Sequence, residues 1–177
     1  MNFECDIEHG CKDTDVRITF YFPMNEPFSE KYKELLEQLF NAFNTEFKDA
    51  QIFKAEITSD KGTFVVEGPL IQFELLIFTA LLCAACGTSP VKEWSNKPRK
   101  IITYTLPTCP YCAMLARDFL TLAVANGVPV TVKMLDESSP YDAAPTTEIY
   151  FDEDNPREIV RGYNMEKLLT IVGGKEE

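Results

Sequence analysis

The residues of this sequence best suited to chemistry are two cysteines in the segment Cys109-Pro110-Tyr111-Cys112. The segment follows a strand-like stretch and opens a helix-like one. Free N–H groups and the helix dipole stabilise a thiolate at the first helical turn, so we expect a lowered pKa at Cys109. Pro110 suits the first helical position, where an N–H is not needed. Cys112 lies three residues on, on the same side of the helix, within disulfide distance of Cys109.

This arrangement predicts a two-step thiol–disulfide exchange. Cys109 attacks a substrate disulfide, a mixed disulfide forms, and Cys112 resolves it. The alternatives are a zinc knuckle or two idle thiols. Zinc usually requires a second Cys or His pair nearby, and none follows in this half of the chain, while the single histidine, His9, is distant in sequence. Redox exchange is therefore the favoured interpretation.

Four further cysteines could do chemistry of their own. Cys83 and Cys86 lie at the C-terminal end of a predicted apolar helix, where the helix dipole raises the pKa of a thiol. We therefore favour buried inert thiols. The alternatives are a local disulfide, a relay to the Cys109–Cys112 pair, and metal binding. Cys5, His9 and Cys11 could bind zinc together with Cys83 or Cys86, although their spacing matches no common zinc module. A Cys5–Cys11 disulfide or a disordered lead-in are the other interpretations of this arm.

Composition narrows the class of protein. The 177 residues are 45% hydrophobic and 25% charged, as in globular domains, and the net charge is −11. A surface this acidic disfavours nucleic acid and anionic lipid as partners. The start of the chain shows no secretory signal, and the apolar segment 70–86 is too short to cross a bilayer. We therefore expect a cytoplasmic protein, and the predicted exchange requires no bound cofactor and no metal.

The elements that position these residues alternate between strands and helices. In the first half, alternation predicts a strand over 16–22, and an apolar stripe of period 3.6 predicts a helix from Ser29 to about Phe47. A β-rich stretch, 51–57, a strand, 63–67, and the apolar helix 70–86 follow. The second half begins with a strand over 100–105, a turn framed by Pro107 and Pro110, and a helix that runs to about Ala125. A strand over 128–134, two short strands over 147–151 and 157–161, and a last helix capped by Asn164 follow.

The two halves form a weak repeat. An offset of 84 places Ile18 to Pro23 on Ile102 to Pro107, and each half continues through a similar order of elements. We expect α/β architecture, with two similar units packed side by side. The predicted organisation is an arm (1–15), a first unit (16–87), a linker (88–99) and a second unit (100–177).

The sequence also resembles a known family. Residues 100–172 resemble a glutaredoxin or thioredoxin-fold unit in the Cys-Pro-Tyr-Cys motif, in Ala143 to Thr147, and in Gly162-Tyr163-Asn164. From Val16 onward the chain resembles tandem thioredoxin-fold proteins, namely archaeal-type protein disulfide oxidoreductases and the N-terminal module of the alkyl hydroperoxide reductase flavoprotein. Those proteins also end their first unit on a segment like 67–70 followed by an apolar helix.

The resemblance implies a thiol–disulfide oxidoreductase acting on protein disulfides. It implies that Pro145 is a cis-proline and that Ala144 and Pro145 form the groove for the substrate backbone. The site is then bordered by Thr108, Pro110 and Tyr111. The implied partners are a thioredoxin-reductase-like donor and a peroxiredoxin-like acceptor.

Departures from the family pattern refine this expectation. The first unit has 25–28 where the repeat places Cys-x-x-Cys. Its pattern predicts one strand fewer than the second unit and no matching cis-proline, so we expect a degenerate unit. In the second unit, 136–144 is too short for a second helix, and Leu106 replaces a lysine that helps glutaredoxins bind glutathione. Both departures favour a protein dithiol partner over glutathione. A non-catalytic interaction module and a metal-binding thiol protein are the alternative functions.

Overall fold

The fold is an α/β arrangement built on one eight-stranded sheet, as seen in a computed structural model that describes residues 15–87, 91–152 and 154–174. The strands are β1 (Arg17–Phe22), β2 (Asn44–Asp49), β3 (Lys54–Ser59), β4 (Gly62–Glu67), β5 (Lys100–Thr105), β6 (Val130–Met134), β7 (Thr146–Tyr150) and β8 (Glu158–Arg161). The helices are α1 (Ser29–Leu39), α2 (Phe73–Cys86), α3 (Pro110–Leu115), α4 (Thr121–Ala125) and α5 (Met165–Val172), with a π-helical segment, Ala116–Leu120, joining α3 to α4.

Each half of the chain contributes four strands in the same arrangement. The sheet order is β2-β1-β3-β4-β6-β5-β7-β8. In each unit two parallel strands flank a crossover helix, two antiparallel strands follow, and a helix closes the unit. The units meet through parallel pairing of β4 with β6, in which Phe64 lies opposite Val130. The expected α/β class with two similar units is confirmed.

The first unit has the strand that the sequence pattern did not predict, β2. The predicted helix from Ser29 to Phe47 is wrong beyond Leu39, because the chain turns after Phe40 and continues as β2 along the edge of the sheet. Phe47, taken as part of the helical stripe, instead packs from β2 onto Phe20, with ring centroids 5.4 Å apart. The stripe of aromatic residues continues across the turn because both elements face the same core.

The repeat offset of 84 is wrong by one residue. The core face of β1 carries Ile18, Phe20 and Phe22, and the core face of β5 carries Ile101 and its alternate neighbours, all of them buried. The units therefore match at an offset of 83, since successive strand residues point to opposite faces. In this frame Glu26 and Ser29 take the places of the two cysteines. In neither frame does the first unit have a Cys-x-x-Cys at the position that matches 109–112.

Two equivalent hydrogen bonds, one in each unit, confirm that the units share the same arrangement. The N–H of Gly68 donates to the carbonyl of Phe53, and the N–H of Gly162 donates to the carbonyl of Pro145, both over 2.7 Å. Each glycine follows the last strand of its unit with a positive φ, +98° and +78° respectively. Phe53 thus occupies the place of Pro145 in the first unit.

The core is a single layer between the sheet and the helices. Helix α2 is buried along most of its length and packs against α3, the π-helical segment and α4 of the second unit as well as against β3 and β4. Trp94 is buried and its ring stacks on Phe119 with ring centroids 5.2 Å apart. Within the described residues no helix is long and apolar enough to cross a membrane.

Candidate functional site

The two cysteines of the motif lie at the start of α3, bonded to each other. Cys109 is the N-cap residue and Pro110 occupies the first turn, as the sequence predicts. The Cys109–Cys112 disulfide joins Cα atoms 5.3 Å apart. The N–H of Cys112 donates to the sulfur of Cys109 over 3.1 Å. A backbone N–H aimed at this sulfur stabilises a thiolate there once the disulfide is reduced.

The two sulfurs differ in their access to solvent. Cys112 is fully buried in the core, whereas Cys109 is partly exposed. Thr108, Pro110 and Tyr111 are all exposed beside it, Tyr111 with 58% of its surface free. A bulky disulfide can therefore reach Cys109 without reaching Cys112.

The Ala144–Pro145 peptide bond is cis, as expected. Pro145 immediately precedes β7, and β7 pairs with β5 so that Thr146 lies opposite Tyr104, one residue before the end of β5. Since the loop 106–109 leaves that same end of β5, the fold brings Ala144 and Pro145 to the side of the cysteine loop. The loop 135–145 contains no helix, in agreement with the shortened connection read from the sequence.

The loop that precedes Pro145 is held by a buried carboxylate. The hydroxyl of Tyr141 donates to Glu148 over 2.6 Å, and that of Tyr150 donates to the other oxygen of Glu148 over 3.0 Å. The ring of Tyr141 also packs edge-on against Tyr104 at 5.1 Å. Burial, followed by the bond to Glu148, raises the pKa of Tyr150 to about 12 and that of Tyr141 as well, so both hydroxyls stay protonated donors. These bonds fix the loop that carries the cis-proline.

One residue of the site was not identified from the sequence. Glu74, in the first turn of α2, is fully buried, and one of its oxygens accepts a hydrogen bond from Thr105 over 3.2 Å. Its other oxygen has no hydrogen-bond partner. The preceding residue, Phe73, donates its N–H to the carbonyl of Pro107, so Glu74 lies under the loop that leads to Cys109.

The environment of Glu74 makes it a proton acceptor near neutral pH. Burial raises its pKa to about 7, and the bond from Thr105 opposes this shift only in part. The only signal in the sequence was a carboxylate in an otherwise apolar helix. That signal acquires meaning only when α2 of the first unit is packed onto the second unit.

The other cysteine pair lies far from this site. Cys83 and Cys86 are near the end of α2, about 14 Å and about 18 Å along the helix from Glu74. Both are disulfide-bonded, so the interpretation as inert thiols is wrong and neither offers the thiolate that zinc requires. Cys5, His9 and Cys11 of the zinc hypothesis lie outside the described residues. Elsewhere, in 15–87, 91–152 and 154–174, no group of three or more His, Cys, Asp or Glu side chains is placed to hold a metal ion.

Comparison with solved structures supports the fold, whereas comparisons of sequence find no match. No family model matches the sequence, and no curated protein matches it. Among solved structures, the chain is similar to the C503A mutant of the alkylhydroperoxide reductase protein AhpF from Enterococcus faecalis V583. The TM-score is 0.69 at 12% identity, over 94% of this chain and 93% of that one.

Two further structures resemble the chain. The NTD_N/C domain of AhpF from Enterococcus faecalis V583 matches with a TM-score of 0.65 at 12% identity, covering 92% of each chain. Sso1120 from Sulfolobus solfataricus matches with a TM-score of 0.54 at 14% identity, covering 77% of this chain and 86% of that chain. The chain therefore has the tandem thioredoxin-like fold that the sequence resemblance implied.

Proposed function

We propose that this protein is a thiol–disulfide oxidoreductase that acts on protein disulfides through Cys109 and Cys112. The observation that carries the proposal is the disulfide at the start of α3, with one partly exposed sulfur and one buried sulfur. The tandem thioredoxin-like fold and the cis bond before Pro145 support it.

The first step is attack by the reduced Cys109 on the substrate. The Cys109 thiolate, stabilised by the N–H of Cys112 and by the start of the helix, attacks one sulfur of a substrate disulfide. A bond forms between Cys109 and that sulfur, and the other substrate sulfur leaves as a thiolate that takes up a proton from solvent. The exposed Cys109 is the nucleophile because the buried Cys112 cannot meet a large substrate.

The second step releases the substrate. Glu74 accepts the proton of the Cys112 thiol, and the resulting thiolate attacks the sulfur of Cys109. The second substrate sulfur leaves as a thiolate and takes up a proton from solvent, and Glu74 releases its proton to solvent before the next cycle. The substrate gains two electrons and two protons, and the protein is left with the Cys109–Cys112 disulfide. A pKa of about 7 suits Glu74 to this transfer at neutral pH, since a general base works best when its pKa is near the working pH.

The groove beside the cysteines binds the backbone of the substrate. Ala144 and Pro145 flank the cysteine loop, and the bonds from Tyr141 and Tyr150 to Glu148 hold them in place. Thr108, Pro110 and Tyr111 border the other side and remain exposed. Position 106 is leucine, whereas glutaredoxins have a lysine there that helps to bind glutathione. This difference supports a polypeptide substrate over glutathione.

A dithiol donor must restore the reduced form after each cycle. We propose a thioredoxin-reductase-like donor and a peroxiredoxin-like acceptor, in line with the sequence resemblance. The two steps use no bound cofactor. The cytoplasmic location stays a prediction from the sequence.

The proposal is tested by reduction of insulin with dithiothreitol as the donor. The wild type should accelerate reduction, Cys109→Ser should abolish the acceleration, and Cys112→Ser should accumulate a mixed disulfide on Cys109. Mass spectrometry of that trapped species names the attacking sulfur. Equal rates for the wild type and Cys109→Ser would contradict the proposal and favour a non-catalytic interaction module. Stoichiometric zinc in the purified protein would instead assign both cysteines as metal ligands.

A further inference from the structure

Two disulfide-bonded cysteines lie at the C-terminal end of α2, away from the site already described. The described residues contain four cysteines, and none of these four is free. Cys109 and Cys112 are bonded to each other. Cys83 and Cys86 are also disulfide-bonded. The proposed exchange at Cys109 uses neither of them, so the identity of their bonding partners is a separate question.

The geometry of α2 is incompatible with a bond between Cys83 and Cys86. Both residues belong to the helix, which runs from Phe73 to Cys86. Side chains three residues apart on an α-helix have Cβ atoms about 5–6 Å apart, whereas a disulfide requires about 3.5–4.5 Å. The helix closes with a 3₁₀-type bond from the N–H of Gly87 to the carbonyl of Ala84. A 3₁₀ turn does not shorten the distance, because three of its residues rise about 6 Å.

The Cys109–Cys112 disulfide shows what a bond between cysteines three residues apart requires. Cys109 lies outside the helix as its N-cap residue, and its backbone is extended, with φ −97° and ψ 102°. This conformation lets its sulfur reach Cys112 in the first turn of α3. Cys83 lacks this freedom, because the residues on both sides of it belong to α2. The partner of Cys83, and likewise that of Cys86, is therefore a cysteine elsewhere in the chain.

The start of β1 lies at the same end of the fold as the C-terminal end of α2. Arg17, the first residue of β1, pairs with Thr58 of β3. The turn after β3 carries Lys61, whose ammonium group donates to the carbonyl of Ala84 over 2.9 Å and to that of Gly87. Lys61 thus connects this end of the sheet to the last turn of α2. The segment that precedes β1 joins the sheet beside that turn.

The remaining cysteines of the sequence are within reach of this helix end. Cys83 and Cys86 are partly exposed, whereas the two residues between them are buried, so both cysteines lie on the outward side of α2. Cys5 and Cys11, outside the described residues, precede Arg17 by twelve and six residues. Six extended residues span about 20 Å. That reach exceeds one interstrand spacing plus the width of a helix, about 5 Å and about 10 Å.

We propose that Cys83 and Cys86 are each bonded to one of Cys5 and Cys11, so that the start of the chain forms a covalent strap across the C-terminal end of α2. Each bond forms when two protein thiols lose two electrons and two protons to a small-molecule disulfide, which is reduced to two thiols. At least 72 residues separate the bonded cysteines in sequence. The strap joins the start of the chain to the helix that carries Glu74, and it is independent of the proposed exchange reaction.

Peptide mapping tests the strap directly. The wild type is denatured without reductant, alkylated with iodoacetamide, digested with trypsin and analysed by mass spectrometry. Trypsin cuts after Lys and Arg, so peptide 1–12 carries the two cysteines that precede β1 and peptide 62–92 carries the two of α2. We expect one species with the summed mass of these peptides less four hydrogens, and peptide 101–117 alone, less two hydrogens. Separate peptides 1–12 and 62–92, or a disulfide-linked dimer on a non-reducing gel, would overturn the proposal.

Matched double variants measure what the strap contributes. In Cys5→Ser/Cys11→Ser, peptide 62–92 should carry two alkylated thiols, and a peptide that is unalkylated and two hydrogens lighter would overturn the proposal. A cross-link over a long loop stabilises more than one over a short loop. The equilibrium constant for urea unfolding should therefore rise at least about 100-fold in this variant, and by less in the control Cys109→Ser/Cys112→Ser. Equal stability of Cys5→Ser/Cys11→Ser and the wild type would contradict a strap.

Discussion

At the scale of single residues, the candidate site contains a buried carboxylate, and burial of its ionised form lowers the free energy of unfolding. Glu74 has a fully buried side chain, one donor, Thr105, and an oxygen without a partner. Its ionised form is destabilised in the folded protein, which is why its pKa rises to about 7. In the proposed function this carboxylate accepts the proton of Cys112.

This cost predicts a pH-dependent effect of Glu74→Gln. The pKa of Glu74 is about 7 in the folded protein and 4.5 in the unfolded chain. Between these two pH values the folded protein holds a proton that the unfolded chain has released, so the free energy of unfolding falls as the pH rises from about 4.5 to about 7. Compared with the wild type, Glu74→Gln should therefore be more favourable at pH 8 than at pH 5, by up to about 3 kcal/mol. Urea unfolding of both oxidised proteins at the two pH values measures this difference.

The same variant should lose activity while it gains stability. Without an acceptor for the Cys112 proton, turnover at pH 7 should fall about 100-fold, while formation of the mixed disulfide on Cys109 is unaffected. A Glu74→Gln protein whose relative stability is the same at both pH values, or whose turnover is unchanged, would contradict the role of this carboxylate.

The residues of the motif could be predicted from the sequence, but Glu74 could not. Cys109, Pro110 and Cys112 are close together in the chain, and their position at a helix start follows from local patterns. Glu74 is more than thirty residues away from Cys109 and belongs to the other unit. Its role depends on how α2 packs across the unit boundary, which no local pattern records.

At the scale of elements, a glycine turn follows the last strand of each unit. Gly68 and Gly162 both have positive φ and both donate to the residue that precedes an inner strand of their unit. They differ in their surroundings. A Cβ on Gly68 would lie 2.6 Å from the terminal methyl carbon of Met134, whereas a Cβ on Gly162 would meet nothing within 4 Å.

This difference predicts unequal costs for alanine at the two turns. Gly162→Ala should destabilise the protein by about 1–2 kcal/mol, the cost of a positive φ for a residue with a Cβ. Gly68→Ala should cost more, because Met134 must also move and the φ of +98° is less accessible to alanine. Urea unfolding of the oxidised variants measures both costs. A larger cost at Gly162 than at Gly68 would contradict the local geometry.

Element types were more predictable than their ends. The strand 100–105, the buried helix α2 and the cap at Asn164, which accepts the N–H of Lys167, follow from alternation, hydropathy and capping chemistry. The end of α1 did not, because Phe43 and Phe47 continue the apolar period and no Gly or Pro interrupts it. The repeat offset failed for a related reason, since two alternating apolar strands align almost equally well one residue apart.

At the scale of the whole molecule, the two units act as one body with one core. Parallel pairing of β4 with β6 joins the half-sheets, and α2 of the first unit packs against α3 and α4 of the second. The first unit thereby supplies Glu74 beneath the loop that leads to Cys109. A unit that has no Cys-x-x-Cys at the matching position thus contributes a buried carboxylate to the candidate site of the other unit.

The central claim is that Cys109 is the reactive sulfur and Cys112 the buried one. Its most direct test is alkylation of the reduced wild type with limiting iodoacetamide over a range of pH, with the modified cysteine identified by mass spectrometry. Cys109 should be modified first, with a midpoint clearly below the free cysteine value of about 8.5, and Cys112 should react only after unfolding. Modification of Cys112 before Cys109, or a midpoint for Cys109 at or above about 8.5, would contradict this account.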